Sequence, residues 1–465
     1  MVFSSITFLY YFLPIMLFFY FLVPWKLKNI VLLVSSLLFY FYGEPKYCFL
    51  LFFSSIFHYL MGKWIERCSK KKGKLFLLIV CLLLNFGILF YFKYYNFFLE
   101  SIQFFLPNSF SFLTITLPIG ISFFTFQTAS YVIDIYRGKI LSSKNILHFM
   151  TYISMFPQLI AGPIVRYETI EKELKERKLS INEISLGIQR FVIGLAKKVM
   201  LADLLGELSQ RLSDSAPSFL GLWLRALADT LQLYFDFSGY SDMAIGLGLI
   251  LGFHFLENFN YPLIARSITD FWRRWHISLS SWFRDYLYIP LGGNRVSKHR
   301  YVFNLFCVWL ATGLWHGASW NFILWGLYFF ILLLLEKRFL FPFLNRHKWF
   351  GHLYTGLLIL ISFVIFNRTD INDLLLTLKG MFGLQSIPFL NREVLFYLKE
   401  YSVLLLFSIF FATPLLKIGY KKVQEKKKCQ PVLTLLEPLF YIGLFLLCTA
   451  FIIDASFQPF LYFRF

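Results

Sequence analysis

Apolar runs about as long as a bilayer crossing recur along this chain, separated by short basic clusters, and that alternation limits the fold more than any other feature. Residues 6–24, 29–43, 47–62, 75–98 and 110–135 are such runs. A helix needs about 20 apolar residues to cross the roughly 30 Å hydrocarbon core. Only 15% of the 465 residues are charged and 58% are hydrophobic. Soluble domains carry about 25% charge, so this chain cannot cover a water-facing surface. The expected fold is an all-α polytopic membrane protein, read as one domain over residues 1–465.

The clusters between the runs set an orientation. Lys26 and Lys28, the stretch "KWIERCSKKKGK" (63–74) and "YRGKILSSK" (136–144) are basic, whereas Glu44-Pro45-Lys46 and 99–109 are nearly neutral. Cytoplasmic loops are enriched in Lys and Arg, which puts the basic loops inside and the N-terminus outside. The net charge of +19 is therefore loop charge, and a nucleic-acid partner is not expected. Six scattered cysteines (48, 68, 81, 307, 429, 448) without a CxxC give no zinc or disulfide framework, and no metal is expected. The N-terminus has no basic region before its apolar stretch, so an uncleaved polytopic protein of the bacterial inner membrane is expected.

Beyond residue 144 the pattern becomes irregular. "HFMTYISMFPQLIAGPIVRY" (148–167) is apolar but interrupted by Pro157, Gly162 and Pro163, as a re-entrant or kinked segment would be. Residues 168–178 read as a short charged helix, and 183–205 as a tilted or interfacial one. Residues 219–256 have room for two passes or one broken pass. Counting back from the basic stretch 417–428 leaves 301–335 to enter the membrane and return. Each arm then has about 16 residues, roughly 24 Å of helix. A broken hairpin with its apex at Thr312–Trp320 fits that count, and a single long tilted helix fits the hydropathy nearly as well.

Two stretches carry ionisable groups into this apolar background. His316 lies in "LWHGASW", and an ionisable residue in an apolar run is a functional candidate by default. A buried neutral histidine bonded to a backbone carbonyl is the alternative, while Gly313 and Gly317 favour a lined cavity over a plain packed helix. "FWRRWHISLSSWFRDYLYIPLGGNR" (271–295) places His276 among four arginines and three tryptophans. Trp272, Trp275 and Trp282 are expected at the membrane interface, with Arg273, Arg274 and Arg284 snorkelling beside them or receiving an anionic donor. Trp275 and Asp285 join that donor-binding set. Asp236 and Asp242, in "YFDFSGYSDMAIGLG" (234–248), are either carboxylates satisfied by nearby arginines or a polar wall for substrate. Gly246 and Gly248 follow no strand and precede no Lys-Ser/Thr, so they permit tight helix packing.

With these words in hand, the chain resembles the membrane-bound O-acyltransferases (MBOAT), and within them the alginate O-acetylation subgroup. "DFWRRWHISLSSWFRDYLYIPLGGNR", "GLWHGASWNFILWG", "FPQLIAGPIVRY" and "YFDFSGYSDMAIG" carry the likeness, densest over about 118–330. The resemblance implies a bundle of about eleven spans with re-entrant helices around a central tunnel. It implies that His316 is the essential catalytic histidine and His276 the second characteristic position. It further implies no bound cofactor, with acetyl-CoA or another acyl thioester as donor. An extracytoplasmic acetyltransferase partner, a cell-surface polysaccharide and the surrounding membrane lipids are the implied partners. D-alanyl transfer to teichoic acid, and a non-catalytic conduit or scaffold for polymer modification, are the alternatives.

The orientation has a direct test. Cysteines placed at Lys72 and Lys426, in a background lacking the native ones, should resist an impermeant thiol reagent in intact cells and react after permeabilisation. Labelling of either in intact cells would reverse the assigned topology.

Overall fold

A computed structural model describes residues 2–103, 113–426 and 430–454. Among them there are helices and loops but no strand. That outcome follows from solvation, because an apolar segment away from water must satisfy its backbone within itself, and a helix does so.

The chain divides into two compact units, Met1–Phe191 with Asp242–Leu256, and Val192–Ser241 with Glu257–Phe465. The first unit begins with α1 (Leu13–Leu22), α2 (Lys28–Gly43), α3 (Pro45–Arg67), α4 (Lys71–Gln103) and α5 (Ile121–Tyr136). These match the five apolar runs, although residues 110–112 of the fifth lie outside the described residues. Next come α6 (Ile146–Ser154) and α7 (Phe156–Leu159), separated by a kink at Met155, then α8 (Tyr167–Lys175) and the start of α9 (Ile181–Ala196). Arg177 is buried here. It donates to Tyr20 Oη at 3.1 Å and to Asn29 Oδ1 at 2.7 Å, and it lies over the Trp25 and Phe253 rings.

The second unit takes up the chain at the end of α9 and continues through α10 (Asp203–Asp214) into α11 (Phe219–Ile250). Residues 219–250 form one unbroken helix of 32 residues, about 48 Å long, rather than two passes or a broken one. The helix contains no proline, and its glycines mark close helix approaches instead of breaks. A Cβ on Gly239 would lie 2.7 Å from Gly194 O, and one on Gly246 would lie 2.6 Å from Gly187 O. Residues of α11 up to Ser241 belong to the second unit and those from Asp242 to the first.

Short helices α12 (Ile268–Trp272) and α13 (Ile277–Phe283) lead to α14 (Lys298–His316) and α15 (Trp320–Leu335). The last two form an antiparallel hairpin that breaks at Gly317–Ser319. A Cβ on Gly313 would meet Phe322 O at 2.3 Å and one on Gly326 would meet Trp309 O at 2.4 Å. Backbone against backbone leaves no space for a methyl group, so these two glycines set how closely the arms pack. The helices α16 (Phe341–Arg346), α17 (Lys348–Asn367), α18 (Ile371–Met381), α19 (Arg392–Glu400), α20 (Ser402–Phe411), α21 (Leu415–Gln424) and α22 (Gln430–Asp454) complete the described chain.

By length and apolarity alone, five described helices can cross a membrane, and the bent pair α19–α20 adds a sixth if counted as one span. The hairpin arms fall outside that set because α15 has only 16 residues and the 19-residue α14 opens on the polar stretch Lys298-His299-Arg300. α11 carries Arg225, Asp229, Asp236 and Asp242. Length and hydropathy therefore miss a long helix that carries charged groups into the protein interior.

The two kinds of glycine predict opposite outcomes. Gly313→Ala should cost about 1–3 kcal/mol or more through overpacking and lower the thermal midpoint of the purified protein. Gly356→Ala, whose added methyl meets nothing within 4 Å, should be neutral or stabilising by up to about 1 kcal/mol. Thermal unfolding in detergent compares them directly.

Candidate active site

The arginine- and tryptophan-rich stretch folds as two short helices joined by a sharp turn. Ser267 Oγ caps α12 by accepting from Asp270 N. Glu336, fully buried just after α15, accepts from the backbone N–H of Ile268 and Thr269 and from Thr269 Oγ1. One carboxylate thus satisfies donors that the start of a helix leaves open, and it ties α12 to the hairpin. The turn ends at His276, whose φ of 43° and ψ of 55° are left-handed. A non-glycine residue rarely takes that conformation, and here it directs the ring inward. At the far end, Asn304 donates to Leu291 O and Gly293 O, which fastens the Gly-Gly turn to α14.

The tryptophans are not at an interface. Trp272, Trp275 and Trp282 are 8%, 3% and 5% exposed. Trp272 packs against Trp309, Trp325 and Phe329, and Trp275 against Phe271, Phe259 and Phe363. The expectation of a headgroup belt fails because a turn at His276 folds the segment back on the hairpin. An interfacial helix would have kept one face outside.

His276 is fully buried, and Asn258 determines its tautomer. The backbone N–H of Ser278 donates to Asn258 Oδ1 at 3.2 Å, while Asn258 Nδ2 donates to Ser241 Oγ at 3.0 Å. Those two bonds fix which end of the amide is oxygen. Oδ1 also accepts from Ser278 Oγ, and it faces His276 Nδ1 at 3.1 Å. Nδ1 must therefore carry the proton, and the ring's lone pair is on Nε2. Burial pushes the pKa of this imidazole, which lies outside the candidate spanning helices, down to about 3. The ring is neutral near pH 7.

His316 ends α14 and is 4% exposed. Its ring meets Trp325 edge-on at 4.9 Å, Trp315 at 5.1 Å and Phe366 at 5.3 Å. Trp315 also lies 5.8 Å from His276, so one indole touches both imidazoles. Phe237 of α11 completes the link, with its ring 4.7 Å from His276 and its side chain beside His316 on a small shared cavity. Leu233, Trp275, Trp325, Phe363 and Phe366 form the rest of that wall. At the C-terminal end of a helix the open carbonyls favour a cation, and His316 is the last residue of α14.

The remaining candidates divide. Arg273 is exposed. Arg274 pairs with Asp270 at 2.9 Å and Arg284 with Asp285 at 2.8 Å, Arg284 being 62% exposed. Asp236 is buried and pairs with Lys198 at 2.8 Å, which also holds Asp203 at 2.7 Å. Asp242 belongs to the other unit and pairs with Arg190 at 2.9 Å. Both aspartates are ion-paired, and for Asp236 the partner is a lysine rather than an arginine. Of the candidate set, Trp275 shares the cavity with His316. Asn258, Trp315 and Glu336 went unread in the sequence. The local signal was a polar residue next to an apolar run for Asn258 and Glu336, and adjacency to His316 for Trp315.

Fold and site together define a polytopic helical membrane protein with two enclosed imidazoles at one aromatic junction. Residues 138–367 match the model of MBOAT, the membrane-bound O-acyltransferase family. The chain is 40% identical to the probable alginate O-acetylase of Pseudomonas aeruginosa over 88% of its own length and 80% of that protein's. It is 36% identical to the peptidoglycan O-acetyltransferase of Helicobacter pylori, covering 90% and 87% of the two chains. A teichoic acid D-alanyltransferase of Bacillus subtilis is 30% identical, covering 50% and 61%. The chain belongs to the membrane-bound O-acyltransferase family and is a multi-pass O-acyltransferase.

The asparagine relay predicts a specific order. Asn258→Asp keeps an acceptor for the Nδ1 proton and should retain most acyl transfer. Asn258→Ala frees the ring to rotate or change tautomer and should lose about 10²-fold. Equal rates for the two variants at equal protein levels would remove Asn258 from the site.

Proposed function

We propose that this chain takes an acetyl group from a cytoplasmic acyl thioester and delivers it to a hydroxyl on the other side of the inner membrane, for O-acetylation of a cell-surface polysaccharide. The observation that carries this reading is the pair of buried imidazoles against Trp315, one held in a single tautomer and the other at a helix C-terminus. Acyl transfer needs a base for the hydroxyl proton and two reactants held in register. His316 takes the hydroxyl proton as its oxygen attacks the thioester carbonyl. The carbon–oxygen bond forms, the carbon–sulfur bond breaks, and the imidazolium returns the proton to the departing thiolate. His276 presents a lone pair at Nε2, so it accepts a hydrogen bond from a substrate N–H or O–H and does not donate to the acyl carbonyl.

Supporting the substrate class, relatives that align along most of the chain include a probable alginate O-acetylase and a peptidoglycan O-acetyltransferase. The D-alanyl relative aligns with half of it. Supporting the direction, Lys337, Arg338, Arg346 and Lys348 cluster before α17, as cytoplasmic ends do. Exposed Arg273 and Arg284 offer charge to an anionic donor, and an extracytoplasmic acetyltransferase is the expected partner for the final transfer.

His316→Ala should leave a stably inserted protein with acetyl transfer reduced by about 10²–10⁴-fold. His316→Gln should be equally inactive, since an amide can hydrogen-bond but cannot take up the proton. Membrane abundance and polymer O-acetylation, measured together, decide this. Near-normal acetylation by the Gln variant would end the assignment of His316 as base, and loss that tracks abundance would favour a structural role.

A further inference from the structure

When a hydroxyl oxygen adds to a thioester, the carbonyl oxygen takes up negative charge, and a fixed donor aimed at it lowers the barrier. His276 does not supply that donor, because its Nδ1 proton is committed to Asn258 and its Nε2 carries a lone pair. His316 is occupied with the hydroxyl proton. The cavity at His316 is otherwise walled by Leu233, Phe237, Trp275, Trp325, Phe363 and Phe366. Among those side chains only the two indoles carry an N–H.

Trp325 is the indole in ring contact with the base, edge-on at 4.9 Å. The ring contacts of Trp275 run instead to Tyr234, Phe259, Phe271 and Phe363. Trp325 is 1% exposed, and its buried Nε1–H has no hydrogen-bond partner among the described residues. Buried donors normally have one. The ring is also held in place, with Phe329 at 5.0 Å, Phe366 at 5.3 Å and Trp272 at 5.6 Å. Asn321, one turn earlier on α15, donates to the carbonyls of Ile365 and Phe366 and so ties the Phe366 wall to the same helix. A donor fixed in this way needs no reorganisation when charge develops. Trp272 has an unpartnered buried Nε1 too, but it does not line the cavity, so it serves as an internal comparison.

We propose that Trp325 is the oxyanion donor of the transfer, its Nε1–H hydrogen-bonding the acyl carbonyl oxygen while His316 takes the hydroxyl proton. This rests on the transfer reading above, and it holds whichever hydroxyl accepts the acyl group. As the carbon–oxygen bond forms, the carbonyl π pair moves onto the oxygen that the indole faces. The pair returns when the carbon–sulfur bond breaks, and Trp325 keeps its proton throughout. An indole suits a dry aromatic junction, because it joins a large apolar body to one donor and no acceptor.

The test removes the N–H and little else. Benzothienylalanine, in which sulfur replaces the indole N–H, is installed in place of Trp325 in the full chain, in cells. Polymer O-acetylation per unit of membrane-inserted protein should fall by about 10²–10³-fold. The thermal midpoint of the purified variant in detergent should match or exceed that of the wild type, since an unpaired buried donor has been removed. Trp325→Phe, which also loses part of the ring, should lose at least as much activity. Benzothienylalanine in place of Trp272 should leave acetylation close to the wild-type level. The inference is overturned if the replacement at 325 acetylates like the wild type, if the replacement at 272 loses as much, or if the loss at 325 comes with a lowered midpoint. His316→Ala, measured alongside, separates the two readings. Acetylation lost in His316→Ala but kept in the replacement at 325 sinks only the oxyanion assignment, and a wild type that acetylates no polymer sinks the transfer reading itself.

Discussion

A hydrocarbon surrounding has no water to take up an unmatched polar group, so each polar side chain drawn into this protein needs a partner from the chain itself. Glu336 shows the constraint at its most economical. Its carboxylate closes the exposed donors at the start of α12 and, in the same contacts, fixes the hairpin to the segment that bears His276. The left-handed backbone at His276 is held in turn by Asn258, whose carbonyl and Oδ1 accept from the N–H of Ile277 and Ser278. Lys198 between Asp203 and Asp236, and Arg177 against Tyr20 and Asn29, solve the same problem elsewhere. Polar groups in this chain are joints between helices.

The site inherits its chemistry from that requirement. An imidazole in a dry aromatic cluster stays neutral, and a neutral imidazole is what a base must be before it acts. Burial keeps His276 neutral, and the two rings differ in setting. Asn258 commits one ring to a single tautomer, while the carbonyl end of α14 favours a charge arriving on the other. Trp315 packs against both of them.

Several features were open to reading in the residues alone. Apolar runs interrupted by lysine clusters dictate a membrane bundle, since no other solvent accepts them. His316 and His276 stand out because ionisable groups are rare in such runs. Span arithmetic offered the hairpin, with its apex at Thr312–Trp320, alongside a single long tilted helix, and the fold chose the hairpin. Other readings failed for identifiable reasons. The tryptophans beside His276 have the composition of an interfacial belt, but composition does not reveal that the chain doubles back. Residues 219–250 have enough polar and glycine residues to look broken, but each aspartate among them has a partner in another helix.

What the sequence determined by itself is the class of environment and which two histidines stand out in it, because both depend on local hydropathy and on which side chains can titrate. What tertiary structure decided is the tautomer of His276 and the packing of Trp315 against both rings. Those depend on residues such as Asn258 and His276, 18 positions apart, or His276 and Trp315, meeting in space. No local pattern records such meetings, because the cost of an unpaired buried group is settled only when the helices pack.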